Sequence, residues 1–145
     1  MVEGIWDKQN KYPGAVLQEY KHWVLEVSYR QHTLGCYIIF AKRAIEKISD
    51  LKEKEIIELK NVMSKIEKTL LKIPAFKPDR FNYWQMGNIL HHLHFHGIPR
   101  YSNKRIFAGK KWVDKTWGTV PVWSKKFAPS NLVEKIKNSI KPHLN

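Results

Sequence analysis

The chain has 145 residues and a formal net charge of +13, from 26 Lys and Arg against 13 Asp and Glu. With 43% hydrophobic residues it reads as one domain, 1–145, rather than a disordered chain; no apolar run approaches the ~20 residues of a membrane span, and Met1-Val2-Glu3-Gly4-Ile5-Trp6 lacks a signal-peptide pattern. The single cysteine, Cys36, excludes an internal disulfide and fits a cytoplasmic protein, and the positive charge points to anionic partners, phosphate-rich substrates or nucleic acid.

Residues 1–21 read as an N-terminal arm with a turn at Tyr12-Pro13-Gly14. Residues 22–30 alternate, with Trp23, Leu25, Val27 and Tyr29 on one side and Glu26, Ser28 and Arg30 on the other, which predicts a half-buried strand. Residues 36–41 are apolar on both faces and predict a central strand. Asp50, with Glu53 three residues on, is placed to cap a helix. Ile56, Leu59, Met63, Ile66 and Leu70 recur along it at helical spacing as the face that packs on the sheet, and Pro74 and Pro78 end it.

Residues 81–86 predict a third strand, Gly87-Asn88 a turn and residues 92–98 a fourth strand, paired as a hairpin that stops at Pro99. Beyond it the chain is basic and aromatic. Eleven Lys and Arg after Ile98 face two acids, Asp114 and Glu134, and Phe107, Trp112, Trp117 and Trp123 are interspersed. Pro129 and Asn131 open a short C-terminal helix with Glu134 placed to complete its cap; Leu132, Val133, Ile136 and Ile140 are its apolar face. The periodicities alone give an α+β domain.

The fourth strand carries the chemistry. His91, His92, His94 and His96 fall within six residues, and the last three alternate with Leu93 and Phe95. Leu93 and Phe95 then face a core and three imidazoles share the other face, where each ring is able to act as nucleophile, base, acid or metal ligand. An ordinary half-exposed strand is one reading. A metal site is a second, and it needs a further ligand such as Asp114. Nucleophilic catalysis by the central ring is the third. Spacing does not separate the last two.

The run His92-Leu93-His94-Phe95-His96-Gly97-Ile98 resembles the signature of the histidine triad (HIT) superfamily of nucleotide hydrolases and transferases. The flanks are similar to its diadenosine-polyphosphate-hydrolase-like members: residues 81–88 before the triad and Ile98-Pro99-Arg100-Tyr101 after it. The resemblance spans residues 23–118. It implies a HIT-like fold, an antiparallel sheet with a long packed helix and a C-terminal helix, organised as arm (1–21), core (22–100) and basic C-terminal segment (101–145), and paired in a homodimer. It implies that His94 attacks the α-phosphate of a nucleotide and forms a nucleotidyl-histidine, which water cleaves or another acceptor intercepts. His92 and His96 assist from the same face, Asn88 stands near where relatives carry a phosphate-binding glutamine, and the step requires no metal or cofactor. A binding module for nucleotide or RNA that kept the fold is the alternative outside enzymology. One departure stands out: many relatives carry a fourth histidine where Cys36 follows Gly35, and a thiol is a poorer proton carrier to the leaving group. His32, in the neighbouring turn, is a candidate substitute, although a solvated turn histidine is the plainer reading. His91 lies off the triad face.

Overall fold

Short runs of β-branched and aromatic residues build a five-stranded sheet, in which every neighbouring pair is antiparallel, in the order β1-β2-β3-β5-β4. The computed structural model describes residues 14–144. Its strands are β1 (Val16–Glu19), β2 (Trp23–Val27), β3 (Tyr37–Ala41), β4 (Arg80–Trp84) and β5 (His94–Arg100), with a separate hairpin of β6 (Arg105–Phe107) and β7 (Lys110–Trp112). The helices are α1 (Glu53–Lys72) between β3 and β4, and α2 (Ser130–Ile140) at the C-terminal end. The fold is therefore α+β, and β3 is the central strand.

The sheet has two unlike faces. Trp23, Leu25, Val27, Tyr37, Ile39 and Phe95 point to the helices and form the main core with Leu59, Val62, Ile66, Leu70, Val133, Ile136 and Ile140. On the other face Val24, Ile38 and Phe40 make a second, smaller cluster, with Val16 and Leu90 packed against it. β2 is thus buried along its whole length instead of half-buried, since the second face is also covered.

Several expectations shift by a residue or a turn. β1 falls in the stretch that the sequence reads as an arm (1–21), where a four-residue strand is too short to show a period; Met1 and the turn residues Tyr12 and Pro13 lie outside the described residues. Asp50 does not cap α1. It ends a single 3₁₀ turn (Ile48–Asp50), and Lys52 is the N-cap, its N–H donating to Glu55 Oε1 at 2.8 Å. Ile56 is 49% exposed and Val62, 1% exposed, takes its place in the buried stripe, because Glu55 turns inward to meet Arg43. Neither Asn131 nor Glu134 caps α2, whose N-cap is Pro129 without a side-chain bond. Pairing also continues past Pro99: β4 and β5 stay in register to Arg80↔Arg100. Proline is tolerated there because β3 has already left β5 at Gly97, so no partner strand needs the missing N–H. The Pro99 carbonyl instead accepts from Thr33 Oγ1.

Candidate active site

Strand register puts two rows of side chains across the second face. One row runs Val24, Phe40, His94 and the other Glu26, Ile38, His96, Trp84. His94 and His96 are 7% and 9% exposed, so both rings are largely withdrawn from water. Phe40 stacks on His94 with centroids 5.3 Å apart, and the His96 ring stands edge-on to it at 5.0 Å.

Backbone hydrogen bonds fix the His94 tautomer. Its Nδ1–H donates to the carbonyl of His92 at 2.6 Å, which leaves the Nε2 lone pair for the cavity. Burial, outweighing the His92 carbonyl bond, lowers the His94 pKa, so the ring is neutral at pH 7. His96 is driven further, to about 3, first by burial and then by His94, His32 and Arg30.

His92 does not share this face as the alternation suggests. Regular pairing of β5 begins only at His94, and the His92 ring turns away to donate Nε2–H to the carbonyl of Ala41. It is buried and does not line the cavity; it braces the backbone whose carbonyl holds His94. His91 stays on the surface with Nε2 against the Asn88 carbonyl.

In front of the two histidines lies a cavity of about 440 Å³. Ile38 and Phe40 form its floor; Ser28, Tyr29 and Arg30 one side; Met86, Gly87, Asn88, Ile89 and Leu90 the rim, from the loop between β4 and β5; and Trp123 the far wall. Asn88 is therefore at the mouth of the site, exposed.

Two features of this wall have no local sequence signal. Gln31 ties the turn between β2 and β3: its Nε2 donates to the carbonyls of Ser28 and Cys36, and its Oε1 accepts from the N–H groups of Gly35 and Cys36. Arg30 then pins residues 123–128 as a strap. Its Nη1 donates to the carbonyls of Ser124 and Lys125 at 2.8 and 3.0 Å, and its guanidinium lies over Trp123 and Phe127. Phe127 packs edge-on against Tyr29 and the Ala128 N–H donates to the Tyr29 carbonyl. Trp123 consequently stands edge-on to His96 at 5.4 Å and leans on His32 at 4.4 Å. Of the tryptophans in the basic segment only Trp123 reaches the cavity; Trp112 packs at the core edge, and β6 and β7 contribute nothing to the lining.

Cys36 is buried and faces Thr33, with Sγ–H donating to the Thr33 carbonyl at 3.3 Å, and it does not line the cavity. His32 is no solvated turn residue. It accepts the Ser124 N–H at Nδ1 at 2.8 Å, and burial followed by Arg30 lowers its pKa to about 4. Asp114, the candidate further metal ligand, is taken up by Arg100: Nε and Nη2 grip its two oxygens at 2.7 and 3.1 Å. Among the described residues no group of three or more His, Cys, Asp and Glu is arranged to hold a metal ion.

A search of curated protein sequences finds no match. Solved structures do match in fold. A hypothetical histidine triad nucleotide-binding protein from Sulfolobus tokodaii superposes with a TM-score of 0.71 at 17% identity, covering 97% of this chain and 89% of that one. A histidine triad protein from Sinorhizobium meliloti gives 0.71 at 18% identity, over 99% and 96%. A diadenosine triphosphate hydrolase from Plasmodium falciparum gives 0.66 at 17% identity, over 90% and 76%. The sequence itself matches the HIT domain over residues 9–103, and on that match the chain belongs to the HIT domain family.

Proposed function

We propose that this protein is a nucleotide hydrolase that cleaves a nucleoside phosphoanhydride or phosphoramidate through a nucleotidyl-His94 intermediate. The observation that carries the reading is the His94 tautomer: Nδ1–H is committed to the His92 carbonyl and a neutral Nε2 faces a cavity of about 440 Å³, within the usual ligand-pocket range of roughly 300–1,000 Å³. Nε2 attacks the α-phosphorus; the Nε2–P bond forms as the bond from phosphorus to the leaving group breaks, and the leaving group takes up a proton from water. The positive charge on the adduct ring is balanced through Nδ1–H and the carbonyl dipole, which also steadies the transition state. Water then attacks phosphorus, the N–P bond breaks, and the nucleoside monophosphate departs. His96 donates to a phosphate oxygen, His92 assists by holding the backbone of His94, and the Asn88 amide meets the phosphate at the rim. Metal and cofactor are not called on.

Interception of the same adduct by another acceptor would make the protein a nucleotidyltransferase, and the two share every residue named. The diadenosine-polyphosphate subclass draws support from the flanks of the triad and from the fold of the Plasmodium falciparum enzyme. The reading includes a cytoplasmic homodimer; among the described residues no helix is long and apolar enough to cross a membrane, and Ile56, Ile57 and Leu71 of α1 are exposed apolar groups suited to a partner copy.

The test is a panel of adenosine and guanosine polyphosphates and phosphoramidates, with products and protein adduct read by mass. Turnover should yield the monophosphate. His94→Ala should abolish both turnover and adduct while nucleotide still binds, and His96→Ala should cost roughly a hundredfold to a thousandfold in kcat, as loss of one donor to developing charge does. Hydrolysis that persists in His94→Ala overturns the reading, and inhibition by chelator reversed by zinc replaces it with a metal mechanism.

A further inference from the structure

Two imidazole nitrogens are buried without a hydrogen-bond partner among the described residues: His32 Nε2 and His96 Nδ1. Both rings rest on the Trp123 indole, with centroids 4.4 and 5.4 Å from it, and Trp84, which pairs with His96 across the β4–β5 ladder, packs edge-on to His32 at 5.8 Å.

One of the two has a settled proton. The Ser124 N–H donates to His32 Nδ1, so in the neutral ring the proton sits on Nε2, and that nitrogen is a donor. His96 Nδ1 is sealed from solvent, so the ring meets the cavity through its Nε2 side. The His32 donor and the unpaired His96 Nδ1 are each costly to leave unmade, and a water between them would satisfy both if Nδ1 accepts. His32 also stands among the groups that depress the His96 pKa, after burial and His94, which agrees with their closeness.

We propose that His32 is a positioning residue for His96: its Nε2–H, relayed by one water, holds His96 Nδ1 as an acceptor and so places the His96 proton on Nε2, facing the cavity. Adjacent histidines of the triad then present Nε2 in opposite protonation states, a lone pair from His94 and an N–H from His96. The strap completes the chain, because Ser124 sets the His32 tautomer and Arg30 holds Ser124. Sequence spacing gives no hint of this, since His32 and Ser124 are 92 residues apart. The proposal rests on the reading that His96 donates to a substrate phosphate, but its test does not depend on turnover.

That test is ¹⁵N NMR of the histidine rings in ligand-free protein, where protonated and unprotonated ring nitrogens resonate far apart. Wild type should show His96 protonated at Nε2 and His94 at Nδ1. His32→Phe keeps a ring between Trp84 and Trp123 and removes the donor; His96 should drift to a mixture of tautomers while His94 keeps its signature. His32→Gln, which returns an N–H, should restore the wild-type pattern. On a substrate the wild type turns over, kcat of His32→Phe should fall roughly tenfold, the low end for loss of an outer-shell partner, with KM nearly unchanged, and His32→Gln should recover most of it. A His96 proton on Nδ1 in the wild type, or a His96 tautomer indifferent to His32→Phe, overturns the proposal. So does loss of the His94 signature in that variant, which would make His32 a support of the whole site. If no nucleotide is turned over, the hydrolase reading fails while the spectra still decide the role of His32.

Discussion

Burial withdraws charge from the imidazoles of this site, and the cost appears as a pH dependence of folding. His32 and His96 titrate at about 4 and about 3 in the folded chain against an ordinary value of 6.5. As pH falls below 6.5 the unfolded chain binds these protons first, so their contribution to stability is complete above 6.5 and is lost as pH drops toward the folded values. Glu55, held down to about 2 by Arg43, adds loss in the same direction only below its ordinary value of 4.5. Urea midpoints should therefore be level between pH 8 and 7 and decline between 6.5 and 4.5, and His96→Gln should decline less steeply. Equal slopes for the two proteins would show that His96 is not the group responsible. At this scale the sequence was legible where alternation governs: His94 and His96 are on one face because β5 is a strand. It was illegible where the strand had not begun, so His92 turns its ring to Ala41, and where a partner comes from far along the chain, as Trp123 and Ser124 do for His32.

Elements obey the same division. The helical period of α1 is plain in the sequence, but its phase is set by Glu55, which turns inward to its Arg43 ion pair and moves the buried stripe onto Leu59, Val62, Ile66 and Leu70. The glycine in the triad strand has a cause of the same tertiary kind. Across the sheet Gly97 pairs with Tyr37 on one side and Tyr83 on the other, and a Cβ at Gly97 would lie 2.1 Å from the Tyr37 ring. That ring lies over the bare backbone and reaches Tyr83, whose hydroxyl donates in turn to Glu67 of α1. Gly97→Ala should lose about 1–3 kcal/mol to overpacking. In a Tyr37→Leu background, where the ring is gone, most of that penalty should vanish, and thermal melts of the four proteins read the coupling directly. A penalty of the same size in both backgrounds would place the strain elsewhere.

Across the whole molecule, the positive charge divides into two populations. Arg100, 2% exposed, is a structural post: besides gripping Asp114 it donates to Asn82 Oδ1 and to the carbonyls of Thr116 and Thr119. Arg105 likewise serves carbonyls, at Phe76 and Lys77. Lys104, Lys110, Lys111, Lys115, Lys125 and Lys126 remain exposed. Lys125 and Lys126 belong to the strap at the cavity wall, whereas Lys110 and Lys111 belong to the hairpin beside Phe76. If single-stranded oligonucleotides are a partner of this surface, their affinity should fall steeply between about 50 and 200 mM salt as neutralised phosphates release counterions. Joint replacement of Lys110, Lys111, Lys125 and Lys126 by Gln should flatten the slope; absence of binding at the lowest salt removes nucleic acid as a partner. Light scattering on the same samples should give twice 17.2 kDa, and a clean monomer would count against the homodimer. Net charge was legible in full from the sequence, but its division between posts and free surface was not, because that depends on which carbonyls the fold leaves unpaired.

The strap has a consequence in time. A ribosome delivers the chain from its N-terminal end, and domains generally fold as units in that order. His94 therefore emerges before Trp123 and Ser124, and α2, which packs against β1 and β2, emerges after them. A nascent chain that has reached β5 carries His94 on its strand but lacks the wall, the strap and the Ser124 N–H that bonds His32. A chain halted between β5 and the strap therefore holds His94 in an unfinished cleft.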